Sequence, residues 1–283
     1  MKLKFYALTG VIALTLGAGL LCVNIYGMFK DVRPQMFFAD ELRFEEDITL
    51  TREETFEAIV RLEGETDKEY ADRITQVIGG GLAHIHWERY ETQKFNQLIP
   101  IWENYFLYFM GRFSGIPEFE RYHFANYERS LNRGIGICGD ASMIMSQLLD
   151  KQGIPNQLLT FPGHVILAAT FDNGEELAFD PDFGVSLNYS PVELSSSPGA
   201  VGQAYADAGY PQSDVIVMNR IYDNTFKRWD GVSHFITKKY YFEIFAYWLK
   251  WPVPFILIVL GGFFVRLSFK KMTGYKETFA DHL

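Results

Sequence analysis

Two uncharged apolar stretches limit what this chain can become. Phe5 to Phe29 carries no charged side chain, and Trp251 to Val265 carries none either, reaching Phe269 if Arg266 snorkels to the interface. A helix needs about 20 apolar residues to cross the hydrocarbon core of a bilayer, so both stretches read as transmembrane helices. The first is longer than the roughly 7–15 residues of a signal-peptide core and is followed by no small-x-small cleavage site, so it reads as an uncleaved anchor. Pro252 and Pro254 stand in the first turn of the second, where a missing N–H costs little. Tyr240, Tyr241, Tyr247, Trp248 and Trp251 precede it as an aromatic belt of the kind that settles at a membrane–water boundary.

Basic residues near the spans set an orientation. Lys2 and Lys4 precede the first span, and Arg266, Lys270, Lys271 and Lys276 end or follow the second. The positive-inside rule then predicts a protein of the cytoplasmic (inner) membrane, with both termini cytoplasmic and the main domain periplasmic. The expected divisions are a transmembrane anchor at 1–30, a juxtamembrane connector and helix at 31–65, and an extracytoplasmic domain at 66–240. An interfacial segment and second transmembrane helix follow at 241–269, then a short cytoplasmic tail at 270–283. The whole chain carries −9; removing the three lysines before residue 31 and the net +2 of 240–283 leaves −14 on 31–239. Such an acidic domain repels phosphate backbones, which excludes nucleic acid as a partner.

Local signals give the domain a fold class. Thr51-Arg52-Glu53-Glu54 and Thr66-Asp67-Lys68-Glu69 are capping boxes, predicting helices that stop at Gly64 and at Gly79-Gly80-Gly81. Phe124 to Leu131 reads as a short helix. Another starts at Cys138, with Ala141, Met145, Leu148 and Leu149 at helical spacing, and ends at Gly153. The period then changes to strands at Asn156 to Phe161, Val165 to Phe171, Glu176 to Phe179 and Asp214 to Tyr222. Asp172-Asn173-Gly174 supplies a hairpin turn. Ser197-Pro198 predicts a helix to Asp207, and the serines and glycines of 195–212 mark a candidate mobile lid. Helices first and antiparallel strands after make the domain α+β.

Cys22 lies in the first span, so Cys138 is the only thiol outside it. At a helix start, exposed N–H groups and the helix dipole favour a thiolate. A thiolate nucleophile needs a base, and the base needs an acceptor that fixes its tautomer. His164, after Pro162-Gly163 at the head of one strand, and Asp180, before Pro181 at the end of the next, fit those two roles. The expected hairpin brings them towards each other. Asp182 competes for the third role, and Asp180 is preferred for its place at the strand end. His84 and His86 have no third ligand nearby, so no metal site is expected, and the chemistry requires no cofactor. Trp87 and Tyr90 are candidates for stabilising an oxyanion, with packing in a core the commoner fate. His123 and His234 show no evident partner.

Gly136-x-Cys138-Gly139-Asp140-Ala141-Ser142, Gly153-Ile154-Pro155, Gly163-His164, Asp172-x-Gly174 and Asp180-Pro181 together resemble the transglutaminase-like core. The motif occupies about 130–185, with a weaker match reaching back to about 66. Ile166 and Asn156-Gln157 stand where that family often has an aromatic residue and an arginine. The resemblance implies a papain-like thiol fold, in which the helix carrying Cys138 packs on an antiparallel sheet, flanked here by two transmembrane helices. It implies a membrane-anchored cysteine enzyme of the cell envelope, a peptidase, amidase or transamidase acting on a peptide or other amide-containing substrate. Cys138, His164 and Asp180 would be its triad. The alternative it leaves is a catalytically inactive scaffold or binding domain in an envelope assembly, for example one handling polysaccharide.

Overall fold

In a computed structural model of the chain, the residues described are 2–35, 37, 38, 40–43 and 48–280. In chain order, the first helices are α1 (Lys2–Gly27), α2 (Arg52–Ala58), α3 (Asp67–Gly81), α4 (Tyr105–Phe113), α5 (Pro117–Glu120), α6 (Tyr127–Arg133) and α7 (Cys138–Gln152). Strands β1 (Asn156–Phe161), β2 (His164–Thr170), β3 (Glu176–Asp180) and β4 (Val185–Ser186) follow. Then come α8 (Pro191–Ser196), α9 (Pro198–Asp207), α10 (Gln212–Tyr222), β5 (Lys227–Trp229), α11 (Val232–Phe235), α12 (Thr237–Leu249) and α13 (Pro252–Ala280). Contacts divide the chain into two units. One is Met1–Asp31, Leu98–Glu120 and Glu243–Leu283; the other is Val32–Gln97 and Arg121–Phe242.

The first unit holds the apolar helices. Phe5–Gly27 in α1 and Pro252–Lys270 in α13 are long and apolar enough to cross a membrane, with mean hydropathies of 2.0 and 1.9. They pack on each other through small residues. A Cβ on Gly10 would lie 2.9 Å from the Gly261 carbonyl oxygen, and one on Gly17 would lie 2.7 Å from the Pro254 carbonyl oxygen. Only glycine lets the two backbones approach this closely, which is how helices associate where lipid removes the hydrophobic drive. Leu8, Ile12, Leu16, Phe255, Val259 and Phe263 remain exposed. A core helix of a water-soluble protein would have buried them.

The second unit is built on one antiparallel sheet of order β4-β3-β2-β1-β5. Alternation along the strands gives it two apolar faces. Leu167, Ala169, Leu177 and Phe179 pack against α3 and α7 through Ile74, Ile78, Ile144, Met145 and Leu148. Leu159, Phe161, Ile166, Ala168 and Ala178 pack against α8–α10 through Leu194, Val201, Tyr205, Val215, Met218 and Tyr222. The unit is therefore mixed α and β, with helices on both faces of an antiparallel sheet.

Both capping boxes form, with Thr51 and Thr66 accepting from the N–H of Glu54 and Glu69. α3 ends within its expected glycine run, at Gly81. These glycines serve close approach: a Cβ on Gly79 would stand 2.9 Å from the Gly184 backbone, and one on Gly81 would stand 2.7 Å from Thr55 Oγ1. Two expectations fail. α2 ends at Ala58, before Gly64. The stretch 214–222 is helix α10, not a strand. Its β-branched run hides a helical period, since Val215, Met218 and Tyr222 are buried while Ile216 and Val217 are exposed.

Candidate active site

Cys138 is the first residue of α7 and is partly exposed. The chain reaches it by a constrained approach. α6 ends at Arg133 and is capped by Gly134 with φ of +68°, a left-handed conformation that favours glycine. Ile135 then bridges Ala83 in parallel. A Cβ on Gly136 would sit 2.9 Å from the Cβ of Asp140, so the glycine lets the chain pass that buried residue. Asp140 accepts from the N–H of Ile137 at 3.0 Å, closing the start of α7. Its other tie is His123, Nδ1 to Oδ2 at 2.7 Å. Burial works against the Asp140 carboxylate, but His123, Arg133 and the Ile137 N–H outweigh it and hold its pKa below the ordinary value.

His164 opens β2 after the two-residue turn Pro162-Gly163, where Phe161 pairs with His164. Gly163 has φ of +85°, and a Cβ on it would meet nothing within 4 Å, so it serves the turn and not close packing. Continuing the β2–β3 register by one pair from Leu167↔Phe179 sets Asp180 opposite Ile166. His164 is then its diagonal neighbour on the same face. The Nε2 of His164 meets Oδ2 of Asp180 at 2.7 Å. The same oxygen accepts from the Tyr205 hydroxyl at 2.7 Å, and Tyr205 and Tyr222 join hydroxyls at 2.6 Å. Oδ1 accepts from the N–H groups of Asp182 and Phe183 at 3.2 and 3.4 Å, an Asx-type arrangement that closes the turn into β4. Burial pushes the pKa of both tyrosines well up, aided by the charge of Asp180, so they remain phenols and Tyr205 donates. Burial alone would pull His164 down; the charge and hydrogen bond of Asp180, with Cys138, overcome it and hold His164 well above its ordinary pKa.

Asp182 takes a different partner. Its Oδ1 lies 2.9 Å from Nε2 of His84, and both side chains are buried. Burial again opposes the carboxylate, and His84 foremost, then His164 and Arg43, hold the Asp182 pKa below the ordinary value. A donor atom of Asp182 still lies within 4.8 Å of the Cys138 sulfur and of a His164 nitrogen. That trio is the one group among the described residues placed closely enough to ligate a metal ion. Beside it opens a cavity of about 760 Å³ whose walls include Arg43, His84, Asp182, Phe183, Gly184 and Tyr210.

The structure thus brings Cys138, His164, Asp180 and Asp182 together and gives the His164 partnership to Asp180. His86 is exposed and takes no part. His123 and His234, expected to lack partners, have them: Asp140 for the first, and the Asp230 N–H at 3.3 Å for the second. Trp87 stacks on His123 with ring centroids 4.4 Å apart, and the Tyr90 hydroxyl donates to the Asp40 carbonyl at 2.9 Å. The candidate lid is instead helices α8 and α9, and Tyr205, which ties α9 to the site, is fully buried. The tyrosine pair escaped the sequence reading, and His84 was weighed there only as a metal ligand, not as the partner of Asp182. The one signal for them was the apolar spacing of Val201 and Tyr205, which marks Tyr205 as inward-facing without saying what it meets. A scan against protein families and searches of curated proteins and solved structures found no match to this chain.

Proposed function

We propose that this chain is a membrane-anchored thiol enzyme with a transglutaminase-like, papain-like core, acting on amide bonds through Cys138, His164 and Asp180. The observation that carries the reading is the Asp180–His164 contact at 2.7 Å beside a partly exposed Cys138. With Nε2 given to Asp180, the remaining nitrogen of His164, Nδ1, is the one available to the thiol. The thiolate attacks the amide carbonyl carbon, and the C–N bond breaks as His164 delivers its proton to the departing amine. The acyl group is left as a thioester on Cys138. Water or a second amine then attacks that thioester and gives its proton back to His164 as the C–S bond breaks and Cys138 leaves as thiolate, and which of the two attacks separates hydrolysis from transfer. The start of α7 at Cys138 supplies N–H groups towards a developing oxyanion. The charge pattern supports a cytoplasmic-membrane protein with the domain on the periplasmic side.

The test is direct. The full chain in detergent is incubated with glutamine-containing and other amide peptides and quenched in acid, and Cys138 is examined for a thioester by mass spectrometry and hydroxylamine release. Thioester on Cys138, absent in Cys138→Ser, is the expected result. A thiol that forms none, and that alkylates no faster at pH 6 than an ordinary cysteine, moves the reading to a non-catalytic scaffold. For orientation, reporters fused after about residue 240 should report the outside and C-terminal fusions the cytoplasm.

A further inference from the structure

Outside the thiol site, the strongest unexplained feature lies in the unit that holds the apolar helices. α4 is capped by Asn104, whose Oδ1 accepts from the N–H groups of Phe106 and Leu107 at 3.0 and 3.2 Å. One of its faces is packed. Tyr105, Leu107 and Gly111 are buried, and a Cβ on Gly111 would stand 2.5 Å from the Phe119 carbonyl oxygen, so the helix seats directly on its own segment. The other face is open: Phe109, Phe113 and Ile116 are 46%, 72% and 41% exposed. Phe109 and Phe113 stand at i, i+4 on one line of the helix, their rings stacked with centroids 5.9 Å apart, and Ile116 follows just past the left-handed turn at Gly115 that ends it. Arg112 stands exposed beside them.

Hydrogen bonds fix the level of this helix. Lys250 lies two residues before α13. Its carbonyl accepts from Asn24 Nδ2 in the last turn of α1 at 2.5 Å and from the Tyr105 hydroxyl at 3.2 Å. Its Nζ donates to the Glu103 carbonyl at 2.8 Å, and the Tyr247 hydroxyl donates to Glu103 Oε1 at 2.5 Å. Residues 103–105 therefore sit where α1 ends and α13 begins. Just ahead of that point, at the end of α12, Ile244, Phe245 and Trp248 are 49%, 59% and 68% exposed. A helix of α4's length spans only about 14 Å, so its apolar line cannot lie far from the ends of the spans.

We propose that α4 and the end of α12 are interfacial helices whose apolar faces sink into the headgroup–acyl boundary of the bilayer that α1 and α13 cross. Continuity with the two spans identifies the occupant as lipid. So does the composition, with aromatic and aliphatic side chains on one face and a basic residue at its margin, the pattern of helices that lie in a membrane interface. The inference rests on the spanning of α1 and α13 and is independent of the thiol chemistry. It gives the chain a third membrane contact, which the sequence had assigned to the outer domain.

The full chain, with Cys22→Ser and Cys138→Ser, is reconstituted in vesicles of phosphatidylcholine and phosphatidylglycerol. Nitroxide labels are placed one at a time through Phe109→Cys, Phe113→Cys, Ile116→Cys and Trp248→Cys, with Glu118→Cys and Glu120→Cys as aqueous references and Leu16→Cys and Val259→Cys as references within the spans. All these sites except Glu118 and Glu120 are exposed hydrophobics. Collisions with oxygen should dominate over those with a water-soluble nickel chelate at 109, 113, 116 and 248, and the order should reverse at 118 and 120. Nickel dominance at the four apolar sites, with 16 and 259 still lipid-like, overturns the proposal. Shielding of the four sites from both reagents also overturns it, since a protein surface would then cover them. Nickel dominance at 16 and 259 as well would refute the spans themselves.

Discussion

Replacing His164 by alanine should slow alkylation of Cys138 at pH 6 by about 15- to 30-fold. The sulfur lies within 4.8 Å of a His164 nitrogen. Unit charges at that separation attract by about 3.5 kcal/mol at an effective dielectric of ~20. At about 1.4 kcal/mol per decade, that is a factor of roughly 300 between the sulfur with and without its cationic partner. A sulfur freed of that partner is intrinsically more nucleophilic, with a Brønsted slope of about 0.4–0.5, and this returns part of the loss and leaves the stated range. Asp180→Asn should fall into the same range. Burial is the largest influence on His164 and opposes its charge, and Asp180 is the foremost group that overcomes it. Without that carboxylate the imidazolium loses the foremost group that favours its charge, even though the ring stays in place. An Asp180 that merely oriented the ring would give a smaller effect. The assay is the pH profile of iodoacetamide labelling in a Cys22→Ser background, with near-ultraviolet circular dichroism to establish that each variant folds. Equal rates at pH 6 for the parent, His164→Ala and Asp180→Asn would refute the ion-pair argument.

Three further outcomes follow from the same geometry. Tyr205→Phe removes one donor from a buried carboxylate and should cost about 1.5–3 kcal/mol in denaturant unfolding, with Tyr222→Phe, one hydrogen bond further from the charge, costing less. Gly79→Ala places a methyl 2.9 Å from the Gly184 backbone, in the turn that carries Asp182. It should cost about 1–3 kcal/mol, and an unchanged denaturation midpoint would show that the turn yields freely. His164, raised well above its ordinary pKa by its partners against the pull of burial, contributes stability that is full below the ordinary value of 6.5 and is lost as pH rises through the raised one. The denaturation midpoint should therefore fall on the alkaline side of neutrality, and less so in His164→Gln.

What was legible in the sequence was what local chemistry decides. Capping boxes state where helices begin, because an orphan N–H must be satisfied within one turn, and Thr51 and Thr66 do this with no help from the fold. The strands 156–161, 164–170 and 176–180 were readable for the same reason, since their turns demand the backbone angles of Gly163 and Gly174. The main misreading has a plain cause. The β-branched residues of α10 go against local propensity, and packing of Val215, Met218 and Tyr222 against the sheet prevails. Segment 98–120 was harder still, because nothing in its composition separates a helix of the unit that holds the apolar helices from one of the other unit.

The site shows the same division. Two carboxylates two residues apart, Asp180 and Asp182, are nearly equivalent in a sequence, and both lie in the site, Asp182 within 4.8 Å of the sulfur and Asp180 on His164. The turn between β3 and β4 separates them: Asp180 ends a strand and faces along the sheet to His164, while Asp182 lies within the turn and meets His84, nearly a hundred residues earlier. No spacing rule could have paired His84 with Asp182, because the contact exists only through α3 packing against that turn with glycine on both sides. Yet the physical need is plain once both are buried. A carboxylate without water must find a cation or several donors, and each of these found an imidazole. Asp180 took one tyrosine hydroxyl and two backbone N–H donors besides, which anchors it more firmly than Asp182.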